Sequence, residues 1–120
     1  MKLPNGNRAF VDIRKLRFYC LDPSNPKGRN KARVFGATLG IGQLDSEFLR
    51  DALLKAAAEN DCQVGETDDY GQRFTLDTLI TAPAGIWKIR SGWIIRQGED
   101  FPRLTTCYVL KFKRHENEGD

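Results

Sequence analysis

Hydrophobic and polar positions along this chain change period near residue 60. Before that point apolar residues recur at helical spacing, and after it they alternate as they do in strands. Leu49, Ala52, Leu53, Ala56 and Ala57 trace the stripe of an amphipathic helix, with Glu47, Arg50, Asp51, Lys55 and Glu59 on the outside. Asp45 or Ser46 opens that helix. An earlier helix, capped by Asp12 and running to about Cys20, puts Ile13, Leu16 and Cys20 on one face. Asp22-Pro23 stops it, because a residue before proline is pushed out of helical geometry. After the loop from Pro23 to Arg29, Asn30 is predicted to cap a second helix over Lys31 to Leu39, closed by Gly40.

Downstream, Phe74, Leu76, Thr78 and Ile80 alternate with Arg73, Thr75, Asp77 and Leu79, which predicts a strand. Residues 81–85 form a Pro/Gly hairpin turn, and two further strands follow, joined by the turn-rich segment 97–102. A short strand around Gln63–Glu66 adds a fourth. Helices followed by an antiparallel meander define an α+β fold, with three N-terminal helices packed on one face of a three- to four-stranded antiparallel sheet. In the third strand Lys88, Arg90 and Arg96 share one face, while Trp87, Ile89, Trp93 and Ile95 take the other. In the last, Arg103, Thr105, Lys111 and Lys113 alternate with Leu104, Tyr108, Leu110 and Phe112, so parity puts Tyr108 on the core side. One face suits a core and the other an anion, although a solvated sheet face carries Lys and Arg as a matter of course.

At 120 residues and 13.6 kDa the chain is expected to be one domain over 1–113 with a polar tail at 114–120. It has no apolar run of bilayer-spanning length, and its first ten residues lack the apolar core of a signal peptide. Cys20, Cys62 and Cys107 give neither a disulfide framework nor a metal knuckle, and an odd count fits a reducing compartment. The expected location is cytoplasmic, with no membrane partner. The net charge of +3 conceals a strong asymmetry. Residues 1–33 hold nine basic side chains against Asp12 and Asp22, whereas 34–72 hold two against eight carboxylates. Such a distribution suits a polyanion partner, or internal pairing of the two regions.

The single histidine, His115, lies in the tail, which argues against two-histidine ribonuclease chemistry and histidine-based nucleophile systems. There is no phosphate-cradling glycine loop, and Gly40-Ile41-Gly42 reads as a helix stop. Glu66, Asp68 and Asp69 are better taken as a solvated loop than as a cation site, so no metal or other cofactor is expected. What remains is arginine, lysine and hydroxyl chemistry. Attack of an RNA 2′-hydroxyl on its own phosphate needs in-line positioning, charge stabilisation and proton transfer rather than a metal. Candidates for those roles are Lys31, Arg90, Arg103, Thr105 or Thr106, and Tyr70 or Tyr108, with Arg73, Lys88, Arg96, Lys111 and Lys113 as RNA contacts. Arg90 and Arg103 sit on strands joined by a short loop, so their guanidinium groups are expected to converge on one phosphate.

Several segments resemble an uncharacterised bacterial domain-of-unknown-function family. They are Leu3-Pro4-Asn5-Gly6, Lys15-Leu16 with Tyr19-Cys20-Leu21, and Pro26-x-Gly28-Arg29-Asn30-Lys31-Ala32-Arg33-Val34-Phe35 with Leu39-Gly40. Asp69-Tyr70-Gly71-Gln72-Arg73, Arg90-Ser91-x-Trp93 and Pro102-Arg103-Leu104-Thr105-Thr106-x-Tyr108 extend the resemblance over residues 3 to 110. Members occur alone and as C-terminal tips of polymorphic toxins, and the order of elements is similar to the barnase–EndoU–colicin–RelE class of ribonucleases. The resemblance implies a small toxin-like domain, a metal-independent endoribonuclease with RNA as substrate and an antitoxin or immunity protein as partner. The alternative is a non-catalytic nucleic-acid- or protein-binding module of such a system. In one departure, relatives often carry histidine where this chain has Asn30, and if that histidine is catalytic the change weakens or removes activity.

Overall fold

The computed structural model describes residues 1–110. Helix α1 (Ile13–Lys15) runs on into a π-helical turn, Leu16–Cys20; α2 spans Arg29–Leu39 and α3 spans Ser46–Glu59. Strands β1 (Gln63–Asp68), β2 (Gly71–Ala82), β3 (Gly85–Arg96) and β4 (Arg103–Val109) form one antiparallel sheet in the order β1-β2-β3-β4. The α+β arrangement expected from the pattern is thus present, with the fourth strand included. Helix α2 packs on β3 and β4, and α3 packs on β2.

The core lies between these layers. Phe74, Leu76 and Ile80 of β2 and Ile89 and Trp93 of β3 meet Leu16, Phe35, Leu39, Leu49 and Leu53 from the helices. Trp93 is the largest fully buried side chain, and its indole N–H donates to Ser91 Oγ at 2.9 Å. Ser91 is itself buried two residues away on the same side of β3, so the Ser-x-Trp spacing satisfies a polar atom that would otherwise be stranded. Arg73, Thr75, Asp77 and Leu79 stand on the opposite face, as alternation predicts.

Two local features differ from expectation. Helix α2 starts at Arg29, with Gly28 rather than Asn30 at its N-cap. The preceding turn is held by Asn25, whose side-chain oxygen accepts from Lys27 N and Gly28 N at 2.8 and 3.0 Å. Gly28 is required by close approach, since a Cβ there would lie 1.9 Å from the Tyr19 carbonyl oxygen. At the other end Gly40 takes φ 70° and caps α2 as expected. The second difference is in β4. A bulge shifts the register between Gly92 and Trp93, so Cys107 and Val109 face the core with Leu104, while Thr106 and Tyr108 fall on the outer face opposite Gly92 and Arg90. Parity alone had put Tyr108 inside. Lys111 and Lys113, Phe112 and the 114–120 tail lie outside the described residues.

Candidate functional site

Hairpin geometry settles where Arg90 points and what it holds. From Ala82 opposite Gly85, the β2–β3 register brings Asp77 opposite Arg90. The guanidinium donates two hydrogen bonds to the carboxylate, at 2.8 and 3.0 Å, on a half-exposed surface. These bonds raise the Arg90 pKa, with the nearby Tyr108 oxygen adding to the effect. They also hold the Asp77 carboxyl below its ordinary range. On the other flank Tyr108 is the register partner of Arg90 in β4.

Tyr108 also lines a recess of about 290 Å³ at the edge of β4, together with Asn30, Lys31, Val34 and Val109. Helix α2 supplies its other wall. Lys31 Nζ lies 3.1 Å from the Tyr19 hydroxyl and 5.0 Å from the centre of that ring. Tyr19 is fixed in turn by the Gly28 contact and by Asn25, whose amide donates to the neighbouring Phe18 carbonyl at 2.8 Å. Lys31, Asn30 and Tyr108 therefore meet where α2 reaches the β4 edge, with Tyr19 against Lys31, while Arg90 stands in register beside Tyr108 on the outer face of the sheet. Beneath them the buried thiols of Cys20 and Cys107 lie 3.9 Å apart. The hydrogen bond to Cys20, together with burial, pushes the Cys107 thiol up.

Arg103 is elsewhere. Its register partner is Ile94, four residues along β3 from Arg90, which is about 13 Å at the rise of a strand. Glu99 accepts two hydrogen bonds from it, both at 2.8 Å, and the rings of Phe10 and Phe101 stack on it at 5.4 and 4.8 Å. Each arginine has its own carboxylate, and the expected convergence of Arg90 and Arg103 on one phosphate does not occur. Thr105 accompanies Arg103, Lys15 and Arg96 in a second recess of about 190 Å³. Thr106 lies between the two ends, its buried Oγ1 without a hydrogen-bond partner among the described residues. Tyr70 is exposed in the β1–β2 turn, away from both recesses.

Of the expected RNA contacts, Arg73 donates to Asp68 at 2.7 Å. Lys88 and Arg96 share the outer face with Arg90 and hold no carboxylate among the described residues. Sequence reasoning missed the acidic partners Asp77 and Glu99, and Tyr19. Signals for the first two were present: the turn-defined register for Asp77, and the four-residue spacing of Glu99 and Arg103. No such pattern marks Tyr19, whose role depends on tertiary packing. Among the described residues no helix is long and apolar enough to cross a membrane.

A chain in the structure of a contact-dependent growth inhibition toxin–immunity protein complex from Klebsiella pneumoniae 342 is similar to this one, with a TM-score of 0.64 at 16% identity. The similarity covers 83% of this chain and 98% of that one, and at this identity it is a likeness of fold. No curated protein matches. The family model for a domain of unknown function, DUF6883, matches residues 2–111, nearly the whole length, and the chain belongs to that family.

Proposed function

We propose that this chain is a toxin-like domain that cleaves RNA without a metal, at a site formed by Lys31, Tyr108 and Arg90. The observation that carries this reading is the position of Tyr108, which lines one recess with Lys31 and is flanked in register by Arg90. The fold likeness to a chain of a toxin–immunity protein complex supports a place in a toxin system, as a toxin-like or an immunity-like module. In the proposed step the substrate supplies its own nucleophile. A 2′-oxygen–phosphorus bond forms as the phosphorus–5′-oxygen bond breaks. The 2′-proton leaves to water, the Tyr108 phenol protonates the departing 5′-oxygen, and water restores the phenol. Lys31 and Arg90 stabilise the charge on the phosphate oxygens, Arg90 through the donors that Asp77 leaves unused. Lys88, Arg96 and Thr105 contact flanking phosphates on the outer face.

The test is incubation of the purified protein with bacterial RNA in excess chelator, with mapping of the new ends. Cyclic phosphate and 5′-hydroxyl ends are expected. Lys31→Ala and Arg90→Ala should slow cleavage by about 10²–10³-fold and Tyr108→Phe by about 10²-fold or more, each variant remaining folded by circular dichroism. Arg103→Ala should spare cleavage by comparison. Undiminished cleavage by Lys31→Ala and Tyr108→Phe would remove this site. A second reading is favoured by the locking of Arg73, Arg90 and Arg103 onto carboxylates, which is how a binding surface without chemistry is built. RNA that is bound in a salt-dependent way but left intact would establish it.

A further inference from the structure

We infer that the groove between α2, Leu21 and residues 41–45 is a docking surface for an acidic, apolar-anchored segment of a partner protein. With a volume of about 950 Å³ it is far larger than the β4-edge recess, and Asn30 borders both. Leu21, Ala32 and Ile41 are buried core residues that also form its apolar floor. Leu44 stands on its rim at 100% exposure, in a short 3-10 turn where a polar residue would serve the fold equally well. It lines the groove together with Leu21, Ala32 and Ile41, so that its side chain extends their floor into one apolar patch.

Charge gives the occupant its sign. Arg29 and Arg33 lie one helical turn apart on the opposite rim, both exposed, and neither holds a carboxylate among the described residues. Like charges at that spacing repel. They also sit in the first half of α2, whose first turn contains no acid to offset the positive end of the helix dipole. The one acid lining the groove among the described residues, Asp45, is engaged in accepting from Gly42 N at 2.9 Å. This arrangement works against the stability of the free chain, and an anionic partner would relieve it. The lining favours protein over RNA: its apolar residues are aliphatic, with no aromatic ring among the described residues, whereas single-stranded RNA is recognised largely by stacking on rings. A protein segment with carboxylates and a leucine-like anchor fits both features. The inference stands apart from the proposed cleavage, since none of its evidence involves Lys31, Tyr108 or Arg90.

The test uses the full chain and a labelled synthetic helical peptide, with leucines at i, i+4 and glutamates elsewhere, read by fluorescence anisotropy. A matched peptide with lysine for glutamate and a single-stranded RNA oligonucleotide are run beside it. The acidic peptide should bind, more weakly as salt rises, and the lysine peptide should not. Affinity for the acidic peptide should fall about tenfold or more in the Arg29→Glu/Arg33→Glu double variant and in Leu44→Ser. Because all three side chains are exposed, both variants should fold, with a thermal transition no lower than that of the wild type. Absence of peptide binding, or equal affinity in the variants, overturns the inference. Selective loss of oligonucleotide binding in the variants would give the groove to RNA instead. A dimer in sedimentation velocity that the same substitutions abolish would give it to a second copy of the chain.

Discussion

Ser91→Ala removes one oxygen and strands the buried indole N–H of Trp93. Trp93 is 1% exposed and Ser91 0%, so no water can replace the 2.9 Å bond between them. Leaving a buried donor unsatisfied costs about 1–3 kcal/mol. The second bond of Ser91, to the Leu76 carbonyl, is long at 3.4 Å and adds little. A net loss of about 2 kcal/mol is expected, a large share of the stability of a domain this size. Urea unfolding followed by far-ultraviolet circular dichroism measures it without relying on the tryptophan signal. The decisive version is a cycle with Trp93→Phe, which loses the indole donor as well as some volume. In that background Ser91→Ala should cost roughly 1–2 kcal/mol less than in the wild type, because no N–H remains to be stranded. Equal costs in the two backgrounds would refute the pairing, as would a single-variant loss below about 0.5 kcal/mol, the size of an ordinary surface change.

Phe35→Ala should destabilise by about 3–5 kcal/mol, since Phe35 is fully buried among residues of the helix–sheet core; an unchanged urea midpoint would refute that packing. Acid should also destabilise. Arg73, Arg90 and Arg103 hold Asp68, Asp77 and Glu99 below their ordinary range, so these carboxylates bind protons more readily in the unfolded chain. Their contribution is complete above the unfolded pKa of about 4 and is lost as pH falls through the lower folded values. A urea midpoint measured from pH 6 downwards should stay level and then drop below about pH 4, less steeply in Asp77→Asn, whereas a flat profile to pH 3 would contradict the pairing.

The fold was legible because its signals are local. The stripe of α3, the Asp12 and Gly40 caps, the Pro83-Ala84 turn and the alternation in β2 each lie within a dozen residues, and each matches an observed element. Asp12 caps as expected, accepting from Arg14 N at 3.1 Å. The cap of α2 was misjudged because Asn25, three residues upstream of Gly28, takes the hydrogen-bonding role, and a close contact with Tyr19 selects the glycine. The site was legible only in part. Arg90 and Lys31 could be picked out by residue type and position, but the placing of Tyr108 beside Arg90 depends on the β4 bulge. One extra residue between Leu104 and Cys107 reverses which side chains face the core, and nothing in the alternation announces it. That reversal removes Tyr108 from the core and puts it beside Arg90.

The β3–β4 register also separates two arginines that parity alone would treat as equivalent. Arg103 is held on two sides, by a carboxylate four residues away and by two rings, and its charge is largely spent in fastening the 97–102 turn to the N-terminal segment. Its loss is a structural event. Arg90 has the same bidentate grip on a carboxylate but an open flank, where the neighbouring group is a phenol rather than an apolar ring. Two bonds to Asp77 use two of the five guanidinium donors and fix the plane of the group. The remaining donors are then already oriented, so a phosphate arriving at Tyr108 does not have to order a flexible side chain. In the proposed site Asp77 is therefore a positioning residue for Arg90. A carboxylate beneath an arginine reduces its net charge, yet it secures the geometry that in-line transfer requires, and placement within a fraction of an ångström outweighs a partly screened charge at a half-exposed surface.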